Sequence, residues 1–321
     1  MKTVKITSNQ DLVALSDAFD FACGTVVALG FFDGVHLAHR ALLSEASAIA
    51  RKMHLPLTVF TFSGNSGQIK SGAKKLYSDE EKLSLLKECG VDCTLIADFP
   101  VFSKIEAADF VKDFLIGSLF ARVAVCGYNF RFGKGALGTS DTLRKIMAES
   151  GAEARIIEEY TVSGVTLSST HIRALLSERR VREASKLLGK PYFISGEVSH
   201  GLGLGKKLGI PTVNIPLSAE RFVLPIGVYA TAAVIDGRIF PALTNVGVCP
   251  TFEEREIHAE TFILNFDEDA YGKNIRIYFV EFLRDEKQFS NANELIMQIN
   301  IDKNRTLKLF GDVKWQELGL N

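Results

Sequence analysis

The sequence predicts a doubly wound α/β domain followed by a small antiparallel β-barrel that ends in a helix. In the first half of the chain, continuous apolar runs alternate with amphipathic stretches, a pattern typical of buried parallel strands joined by helices. In the second half the pattern changes to short strands separated by Gly, Pro and Asp. A chain of 321 residues is also longer than one hydrophobic core usually serves. We therefore predict two domains, 1–188 and 189–321.

Four apolar runs form the predicted parallel sheet of the first domain. They are TVVALG, LTVFTF, CTLIA and RVAVC, at 25–30, 57–62, 93–97 and 122–126. The intervening helices are predicted to begin near His36, Asp79, Glu106 and Thr139. Ligands of such open sheets bind beyond the carboxyl ends of the strands. The loops after Gly30, Phe62 and Cys126 are therefore where a site is expected.

The second domain is predicted to start after a helix that runs from Thr170 to Leu188. Its predicted strands lie at 193–198, 227–235, 258–266 and 274–282, and a closing helix lies at 291–310. In the last strand Ile275, Ile277 and Phe279 occupy every second position, as in a half-buried antiparallel strand.

Composition excludes several classes of protein. The chain has 37 Lys and Arg against 38 Asp and Glu, so it has no general attraction to nucleic acid or to an anionic membrane. It has no run of eighteen apolar residues, and its first residues lack a signal-peptide core, so we expect a cytoplasmic protein without membrane association. Its five cysteines fit neither a disulfide framework nor a zinc pattern. Self-association into a homo-oligomer is compatible with the sequence.

The segment GLGLGKKLGIPTVNI, at 201–215, predicts a phosphate site. Backbone N–H groups around Gly201 and Gly205 can approach an anion closely, and Lys206 adds positive charge. Thr212 and Asn214 offer oxygens suited to Mg²⁺. The spacing is not that of a Walker A loop. A flexible surface hairpin is the alternative interpretation.

The segment GFFDGVHLAHRALL, at 30–43, places His36 and His39 at the start of a helix, directly after a buried strand. A helix N-terminus favours phosphate, and two imidazoles three positions apart add hydrogen-bond donors. In a nucleotidyl transfer they would neutralise charge on the leaving pyrophosphate. A metal site made of Asp33, His36 and His39 is a rival interpretation, and a capped helix with solvated histidines is another.

The segment GYNFRFGKGALGTSDTL, at 127–143, contains a glycine pattern that resembles a dinucleotide fingerprint. Gly133, Gly135 and Gly138 fit G-x-G-x-x-G, and Glu158 follows about twenty residues later. However, a dinucleotide fingerprint directly follows the first strand of its domain, and here several strands come first. We interpret the segment as a basic loop in which Asn129 supplies a neutral hydrogen-bonding group. A purely structural turn is the alternative.

The segment LSSTHIRALL, at 167–176, places hydroxyl groups at a predicted helix start. Ser168, Ser169 and Thr170 stand there, with Arg173 one turn further on. Ser and Thr are common N-caps, so capping alone explains them. A helix start combined with an arginine would also hold a triphosphate.

Taken together, these segments resemble the bacterial bifunctional riboflavin kinases and FMN adenylyltransferases, also called FAD synthetases. The match covers nearly the whole chain, because further family segments follow in order: GVYA, NVGVCPTF, AETFILNF and FLRDEKQF. The resemblance implies an N-terminal Rossmann-like nucleotidyltransferase domain that joins FMN to AMP from ATP, releasing pyrophosphate and giving FAD. It also implies a C-terminal barrel that phosphorylates riboflavin with ATP and Mg²⁺.

The resemblance also implies roles for individual residues. In the first domain it places catalysis on His36 and His39, and flavin binding on Phe62 and Asn65. It places ATP binding on Gly30, Asn129, Ser168, Ser169, Thr170 and Arg173. In the second domain it places the general base on Glu260 and flavin binding on Asn245 and Arg284. It places the nucleotide and its Mg²⁺ on Gly201, Gly205, Lys206, Thr212 and Asn214.

The chain departs from the family pattern at two places in the first domain. The family's glycine between the two histidines is Ala38 here, and the added methyl group narrows the space for a phosphate. The family usually has Phe, an acid, Pro, His or Asn, and Pro at 62–66, whereas this chain has FSGNS. Ser63 replaces the acid, and Gly64 and Ser66 replace both prolines, which makes the segment less stiff.

These departures leave alternatives to the two-activity enzyme. One is a riboflavin kinase whose first domain has lost adenylyl transfer. Another is a flavin or nucleotide sensor without catalysis. A third is a nicotinamide-dependent oxidoreductase built on the glycine pattern at 133–138.

Overall fold

The computed structural model describes residues 1–7, 23–63, 73–162, 164–199, 209–218, 220–250 and 255–312. The chain divides into two compact units, Met1–Ser168 and Ser169–Asn321. Each unit is organised around a six-stranded sheet.

The first unit is a doubly wound α/β sheet, which confirms the predicted fold class. Its described strands are β1 Lys2–Ile6, β2 Thr25–Leu29, β3 Leu57–Phe62, β4 Cys93–Ala97, β5 Ala121–Gly127, β6 Arg131–Phe132, β7 Gly138–Thr139, β8 Glu153–Ile157, β9 Thr161–Val162 and β10 Val165–Thr166. Six of them form one parallel sheet in the order β1-β4-β3-β2-β5-β8. The pairs β6-β7 and β9-β10 are short antiparallel hairpins.

The described helices of the first unit begin within one residue of the predicted starts, except α3, which was not predicted. They are α1 Leu37–Met53, α2 Asp79–Glu88, α3 Phe99–Phe102, α4 Ala107–Asp109, which continues as a π-helix at Phe110–Ser118, and α5 Ser140–Glu149. The start of α2 shows the reason, because Ser78 and Glu81 form a reciprocal capping box that satisfies two backbone N–H groups. Helix α1 packs on β2, β3 and β5, whereas the π-helix and α5 pack together and against β5.

A cluster of phenylalanine rings fills the core on the π-helix side of this sheet. The Phe60 ring contacts the rings of Phe102, Phe110 and Phe114 at centroid distances of 4.8, 5.7 and 5.1 Å. All four side chains are buried. Burying one such side chain is worth about 1.5–3 kcal/mol. The packed rings therefore hold β3 and the helices around it in fixed positions.

The second unit contains the predicted antiparallel barrel. Its described strands are β11 Phe193–Glu197, β12 Thr212–Pro216, β13 Gly227–Ile235, β14 Arg238–Pro250, β15 Arg255–Ile263 and β16 Asn274–Arg284. They pair antiparallel in the order β11-β16-β13-β14-β15-β12. Among the residues that the structure describes, a bridge between Ser199 and Asn214 joins the two ends of this order. The Asn214 carbonyl accepts from Ser199 N at 3.0 Å and from Ser199 Oγ at 3.2 Å.

The two faces of the barrel sheet have different partners. The described helices of this unit are α6 Ser169–Ser177, α7 Val181–Leu188 and α8 Ala292–Asp312. Helix α8 packs on β13 and β14, where Ile299 and Leu309 cover Leu243. On the opposite face the hydroxyls of Thr231, Thr244 and Thr261 form a fully buried chain, with oxygen separations of 2.8 and 2.9 Å. Each hydroxyl satisfies the next, so these polar groups are tolerated inside the barrel.

Several element predictions were wrong in detail. The predicted helix from Thr170 to Leu188 is two helices, because Arg179 adopts a left-handed φ of 63° between them. Strands β1 and β8 at the sheet edges were not predicted, nor was β12. Strand β14 was missed because Pro241 interrupts its apolar pattern, although the structure keeps Pro241 in the strand opposite Ala232.

Candidate active sites

The expected site of the first unit lies where the strand order reverses. From β2 the chain proceeds to β3 and β4 on one side, whereas β5 and β8 lie on the other. Strands β2 and β5 pair directly, with Leu29 opposite Cys126, so the loops that follow them leave the sheet side by side. Gly30 begins one loop, and Asn129 stands exposed in the other. A crevice at such a reversal point is the usual ligand position in open α/β sheets.

The imidazoles of His36 and His39 stack in the loop and helix after β2. Their ring centroids are 3.7 Å apart, with an interplanar angle of 15°. Burial, with a smaller contribution from the neighbouring His39, lowers the pKa of His36 to about 2, and Asp33 opposes this shift. Burial likewise lowers the pKa of His39 to about 3. Both rings are therefore neutral near pH 7, and neither Nδ1 atom has a hydrogen-bond partner among the described residues.

The loop that carries the histidine pair has a strained backbone. Phe32 and Val35 have left-handed φ values of 49° and 41°. This conformation is unfavourable for a bulky residue and more so for a β-branched one. Both side chains are fully buried, so packing holds the strained conformation in place. The packed loop therefore fixes the position of His36, which directly precedes helix α1.

Three phenylalanines form an aromatic shelf at the carboxyl ends of three neighbouring strands. Phe31 follows β2, Phe62 ends β3, and Phe99 follows β4. The Phe62 ring lies 5.1 Å from Phe31 and 5.4 Å from Phe99. Phe31 is 38% exposed. Sequence reasoning identified Phe62 and missed the other two, although each directly follows a buried apolar run.

Two polar contacts stabilise the end of β3 beside this shelf. Ser63 Oγ donates to Asp98 Oδ1 at 2.5 Å, so a carboxylate from the end of β4 lies beside the position where the family has an acid. Lys82 Nζ donates to the Phe62 carbonyl at 2.9 Å. Burial lowers the pKa of Lys82 to about 8, and the nearby Asp79 opposes this shift. Neither Asp98 nor Lys82 was singled out from the sequence.

Two alternative interpretations of the first half, the metal site and the dinucleotide fingerprint, find no support in the geometry of the described residues. Asp33 accepts from Leu76 N at 2.9 Å. No group of three or more His, Cys, Asp or Glu side chains that could hold a metal lies together in the described part of the chain. The glycine pattern at 133–138 lies in the β6-β7 hairpin, after the fifth strand of the unit rather than the first.

The hydroxyl-rich segment divides between the units. Ser168 is the last residue of the first unit, and Ser169 is both the first residue of the second unit and the first of α6. Thr170 is exposed, and Arg173 lies one turn into the same helix.

In the second unit three predicted site residues lie in one line across the barrel sheet. Glu260 on β15 is directly opposite Asn214 on β12 and Asn245 on β14. Residues in register on neighbouring strands project to the same face, so these three form a polar row, with Cβ atoms of neighbours about 5 Å apart. The line continues through Val228 on β13 to Arg284 on β16. Four residues that are far apart in sequence are thereby brought onto one face.

Thr212 joins the polar row from the same strand as Asn214. Its Oγ1 donates to Glu260 Oε1 at 2.6 Å. Ala259, Thr261 and Ile263, on either side of Glu260 and beyond, point into the buried face, whereas Glu260 itself is exposed. The alternation of β15 therefore turns this carboxylate outward to a ligand-accessible surface, with its oxygen already held by a hydroxyl.

At the far end of the line, Arg284 is held by the C-terminal helix. Its Nε donates to Asp302 Oδ2 at 2.8 Å, and Gln298 Nε2 donates to the other oxygen of Asp302 at 3.0 Å. The Asp302 side chain is only 6% exposed, so the pair is well shielded from water. Asp302 was not identified from the sequence, because its partner lies eighteen positions earlier.

Two sets of predicted site residues lie outside the described residues. They are Asn65 in 64–72 and Gly201, Gly205 and Lys206 in 200–208.

Comparison with known proteins gives two adjacent family matches. Residues 19–171 match the model of FAD synthetase, and residues 188–310 match the model of riboflavin kinase. A bifunctional riboflavin kinase/FMN adenylyltransferase of Bacillus subtilis (strain 168) is 32% identical over 98% of this chain and 100% of its own length. One from Escherichia coli (strain K12) is 35% identical over 91% of this chain and 94% of its own.

The chain belongs to the bifunctional riboflavin kinase/FMN adenylyltransferase family.

As a member of this family the chain is a transferase with two activities, riboflavin kinase and FMN adenylyltransferase. Riboflavin, FMN, FAD and ATP are the substrates and products of its two domains. The presence of both domains favours the two-activity enzyme over the kinase-only, sensor and oxidoreductase interpretations. Residues 172–187, which include most of α6 and α7, lie in neither family match.

A solved structure from Streptococcus pneumoniae is similar to this chain over nearly its whole length. It is described as a macrolide-efflux protein and is 29% identical, with a TM-score of 0.81 over 95% of this chain and 99% of that one. In this chain, none of the helices that the structure describes combines the length and apolar character needed to cross a bilayer.

Proposed function

We propose that Glu260 is the general base of riboflavin phosphorylation and that Thr212 and Asn214 hold the Mg²⁺ of the bound ATP. The supporting observation is the 2.6 Å contact between Thr212 Oγ1 and Glu260 Oε1, with Asn214 in register beside it. A carboxylate in this position can orient the 5′-hydroxyl of riboflavin and accept its proton. The remaining catalysis is positioning and charge neutralisation, as in other phosphoryl transfers.

The side chains of this site fit Mg²⁺. Mg²⁺ prefers oxygen ligands and commonly keeps few protein ligands alongside phosphates and waters. The Thr212 hydroxyl gives its hydrogen to Glu260, so its lone pairs remain for a cation. Asn214 adds an amide oxygen. The ion would neutralise the phosphate charge that builds up during transfer.

We assign the remaining contacts of the kinase site by the family pattern. Gly201, Gly205 and Lys206 bind the ATP phosphates, and Asn245 and Arg284 lie on the flavin side. The shared register line of Asn245 and Arg284 with Glu260 supports this assignment. The buried Asp302 supports it too, because it holds the Arg284 guanidinium in one orientation.

For adenylyl transfer we propose that His36 and His39 bind the triphosphate and stabilise charge on the leaving pyrophosphate. Their Nδ1 atoms lack partners among the described residues, and their rings lie at the reversal point of the sheet. The neutral pair becomes charged more readily beside an anion, because a phosphate offsets the desolvation that lowers both pKa values. Gly30, Asn129, Ser168, Ser169, Thr170 and Arg173 complete ATP binding.

Phe62 and Asn65 are proposed to bind the FMN substrate of adenylyl transfer. Phe62 lies within the aromatic shelf, whose flat apolar surface suits an isoalloxazine ring.

Product analysis tests these assignments together. The protein is incubated with riboflavin, ATP and Mg²⁺, and FMN and FAD are separated by chromatography. A matched pair, Thr212→Val and Thr212→Ser, is titrated with Mg²⁺. We expect the valine variant to need much more Mg²⁺ for FMN formation, whereas serine restores the wild-type requirement. Equal Mg²⁺ dependence in both variants would remove Thr212 from the metal site.

Three further proposals concern the whole protein. The chain is cytoplasmic, the adenylyltransferase domain ends at residue 188, and copies of the chain associate. Separate expression of 1–188 and 189–321 tests the domain boundary, because each fragment should keep one activity. Cell fractionation tests the location, and sedimentation equilibrium tests the association.

A further inference from the structure

The Glu286 carboxylate reaches the polar row of the kinase site from the end of another strand. Its Oε1 accepts from Asn245 Nδ2 at 2.9 Å. Strand β13 separates the strands of these two residues, but it begins at Gly227, and Arg284 is opposite Val228. Two positions further on, Glu286 has therefore passed the start of β13 and can contact β14.

Gly247 leaves the space that the Glu286 carboxylate occupies. A Cβ atom at this position would collide with Glu286 Oε1 and would stand 3.0 Å from Asn245 Nδ2. The Gly247 backbone is not in the left-handed region, so the effect of a Cβ atom here would be to displace the Glu286 carboxylate from Asn245. The sequence therefore provides both the carboxylate and the gap that receives it.

The contact fixes the orientation of the Asn245 amide. A carboxylate only accepts hydrogen bonds, so Asn245 turns its Nδ2 toward Glu286 and its Oδ1 away from it. Asn245 Oδ1 is buried and has no hydrogen-bond partner among the described residues. A buried acceptor without a donor is unfavourable, because it has lost its hydrogen bonds to water without replacement. A ligand with an O–H group would remove this penalty.

We propose that Glu286 is a positioning residue of the riboflavin kinase site, which orients Asn245 so that its Oδ1 accepts a hydrogen bond from a hydroxyl of the ribityl chain. The inference rests on the proposed function, in which Glu260 accepts the 5′-hydroxyl proton. Asn245 is directly opposite Glu260, so a polyol chain that reaches the carboxylate passes within reach of the amide. Glu286 acts through Asn245 and touches no reacting atom.

Three variants of the full-length chain separate the parts of this proposal. Glu286→Ala removes the acceptor, Glu286→Gln keeps an oxygen that can accept from Asn245, and Gly247→Ala keeps the carboxylate but fills its space. Gln288→Ala is the matched control, because Gln288 lies exposed in the same loop. FAD formation from added FMN reports on the first domain and serves as an internal control for folding.

In steady-state kinetics, we expect these variants to change the KM for riboflavin only. The KM for riboflavin should rise roughly three- to tenfold in Glu286→Ala and Gly247→Ala, as expected for one lost hydrogen bond. The KM for ATP and FAD formation should stay at wild-type values. Glu286→Gln and Gln288→Ala should resemble wild type. If Gly247→Ala leaves the riboflavin KM unchanged, or if Glu286→Gln is as impaired as Glu286→Ala, the proposal is overturned.

A second measurement tests which part of the ligand is recognised. Lumiflavin carries the same ring system with a methyl group in place of the ribityl chain, and its binding is followed by flavin fluorescence. Glu286→Ala should weaken riboflavin binding and leave lumiflavin binding unchanged. Equal weakening of both ligands would contradict a contact with the hydroxyls. The turnover of Glu260→Gln separately tests Glu260 as the general base. A failure of that assignment is therefore distinguishable from a failure of the proposed role of Glu286.

Discussion

Thr212 Oγ1 donates a hydrogen bond of 2.6 Å to Glu260 Oε1 across the β12-β15 pair. The two residues are 48 positions apart in sequence. The hydroxyl that is proposed to bind the metal is therefore hydrogen-bonded to the carboxylate that is proposed to accept the riboflavin proton. Changing either residue should therefore impair the kinase activity without disturbing the first unit.

The first prediction concerns the general base. Glu260→Gln should lower the rate of FMN formation by about 10²–10⁴-fold, because the amide cannot accept the riboflavin proton. The fold should persist, since Glu260 is exposed and its amide replacement can still accept from Thr212. The measurement is kcat for FMN formation, with circular dichroism as the folding control. Wild-type turnover by this variant would remove the assignment.

The second prediction concerns the histidine pair. His39→Ala should stop FAD formation, with a loss of about 10²–10³-fold for one electrostatic donor, and should spare FMN formation. His54→Ala is the matched control, because His54 is an exposed histidine at the other end of α1. Both products are separated by chromatography. Persistence of FAD formation in His39→Ala would place the transfer site elsewhere.

The third prediction concerns acid stability. The pKa of His36 is lowered to about 2 in the folded protein, below its ordinary value of 6.5, so the unfolded state binds the extra proton first. The contribution of neutral His36 to the free energy of unfolding is therefore fully present above pH 6.5. It decreases as the pH falls toward the pKa of the folded state. Between pH 7 and 5 we expect a loss of about 1–2 kcal/mol from this residue.

Hydrogen exchange measures this effect within the first unit. Protection of the β2 amides, Thr25–Leu29, should fall on acidification in wild type and fall less in His36→Asn. The same pH slope in both proteins would contradict the assignment.

The fourth prediction concerns the departure from the family at Ser63. Restoring the acid by Ser63→Asp should destabilise the first unit by about 1 kcal/mol near neutral pH, because the new carboxylate faces Asp98. The loss should shrink at low pH, where one carboxyl becomes protonated. Ser63→Ala is the control without added charge. Thermal unfolding at two pH values measures the difference, and a stabilised Ser63→Asp would contradict it.

The fifth prediction concerns the aromatic shelf. Phe31→Ala should raise the KM for FMN in adenylyl transfer roughly three- to tenfold and leave the KM for ATP unchanged, because a ring contact is worth about 0.5–1.5 kcal/mol. Phe120→Ala is the matched control, since this exposed phenylalanine directly precedes β5 and so lies at the opposite, amino-terminal end of the strands. Equal effects of both variants would show that the shelf has no special role.

The central strands of the first unit were predictable because buried parallel strands are continuously apolar. The edge strands β1 and β8 were not, since KTVKI and EARII carry the charges that edges tolerate. In the barrel, β12 was read only as a ligand-binding segment, and a proline hid β14. Apolar sequence patterns thus predict strands that are buried on both faces. They predict less well the strands at sheet edges or with one face toward solvent, because charged residues and proline interrupt the pattern there.

The candidate sites divide in the same way. Thr212, Asn214, Asn245, Glu260 and Arg284 were named from the sequence through motifs, and their alignment on one face follows from strand register. Asp302, Asp98 and Glu286 were missed, because each acts through a partner on another element. A motif records which residues meet a ligand, whereas the residues that hold them emerge only from tertiary pairing.

The bridge between Ser199 and Asn214 has a further consequence for the barrel. Asn214 closes the cylinder through its backbone carbonyl, and its side chain is the one proposed to hold the Mg²⁺ of the nucleotide. The seam of the cylinder and the proposed kinase site therefore share a residue, so opening that seam should also disrupt the proposed site. Binding of nucleotide at this place should in turn stabilise the closed barrel against unfolding. The domain would then be most stable when it is ready for catalysis.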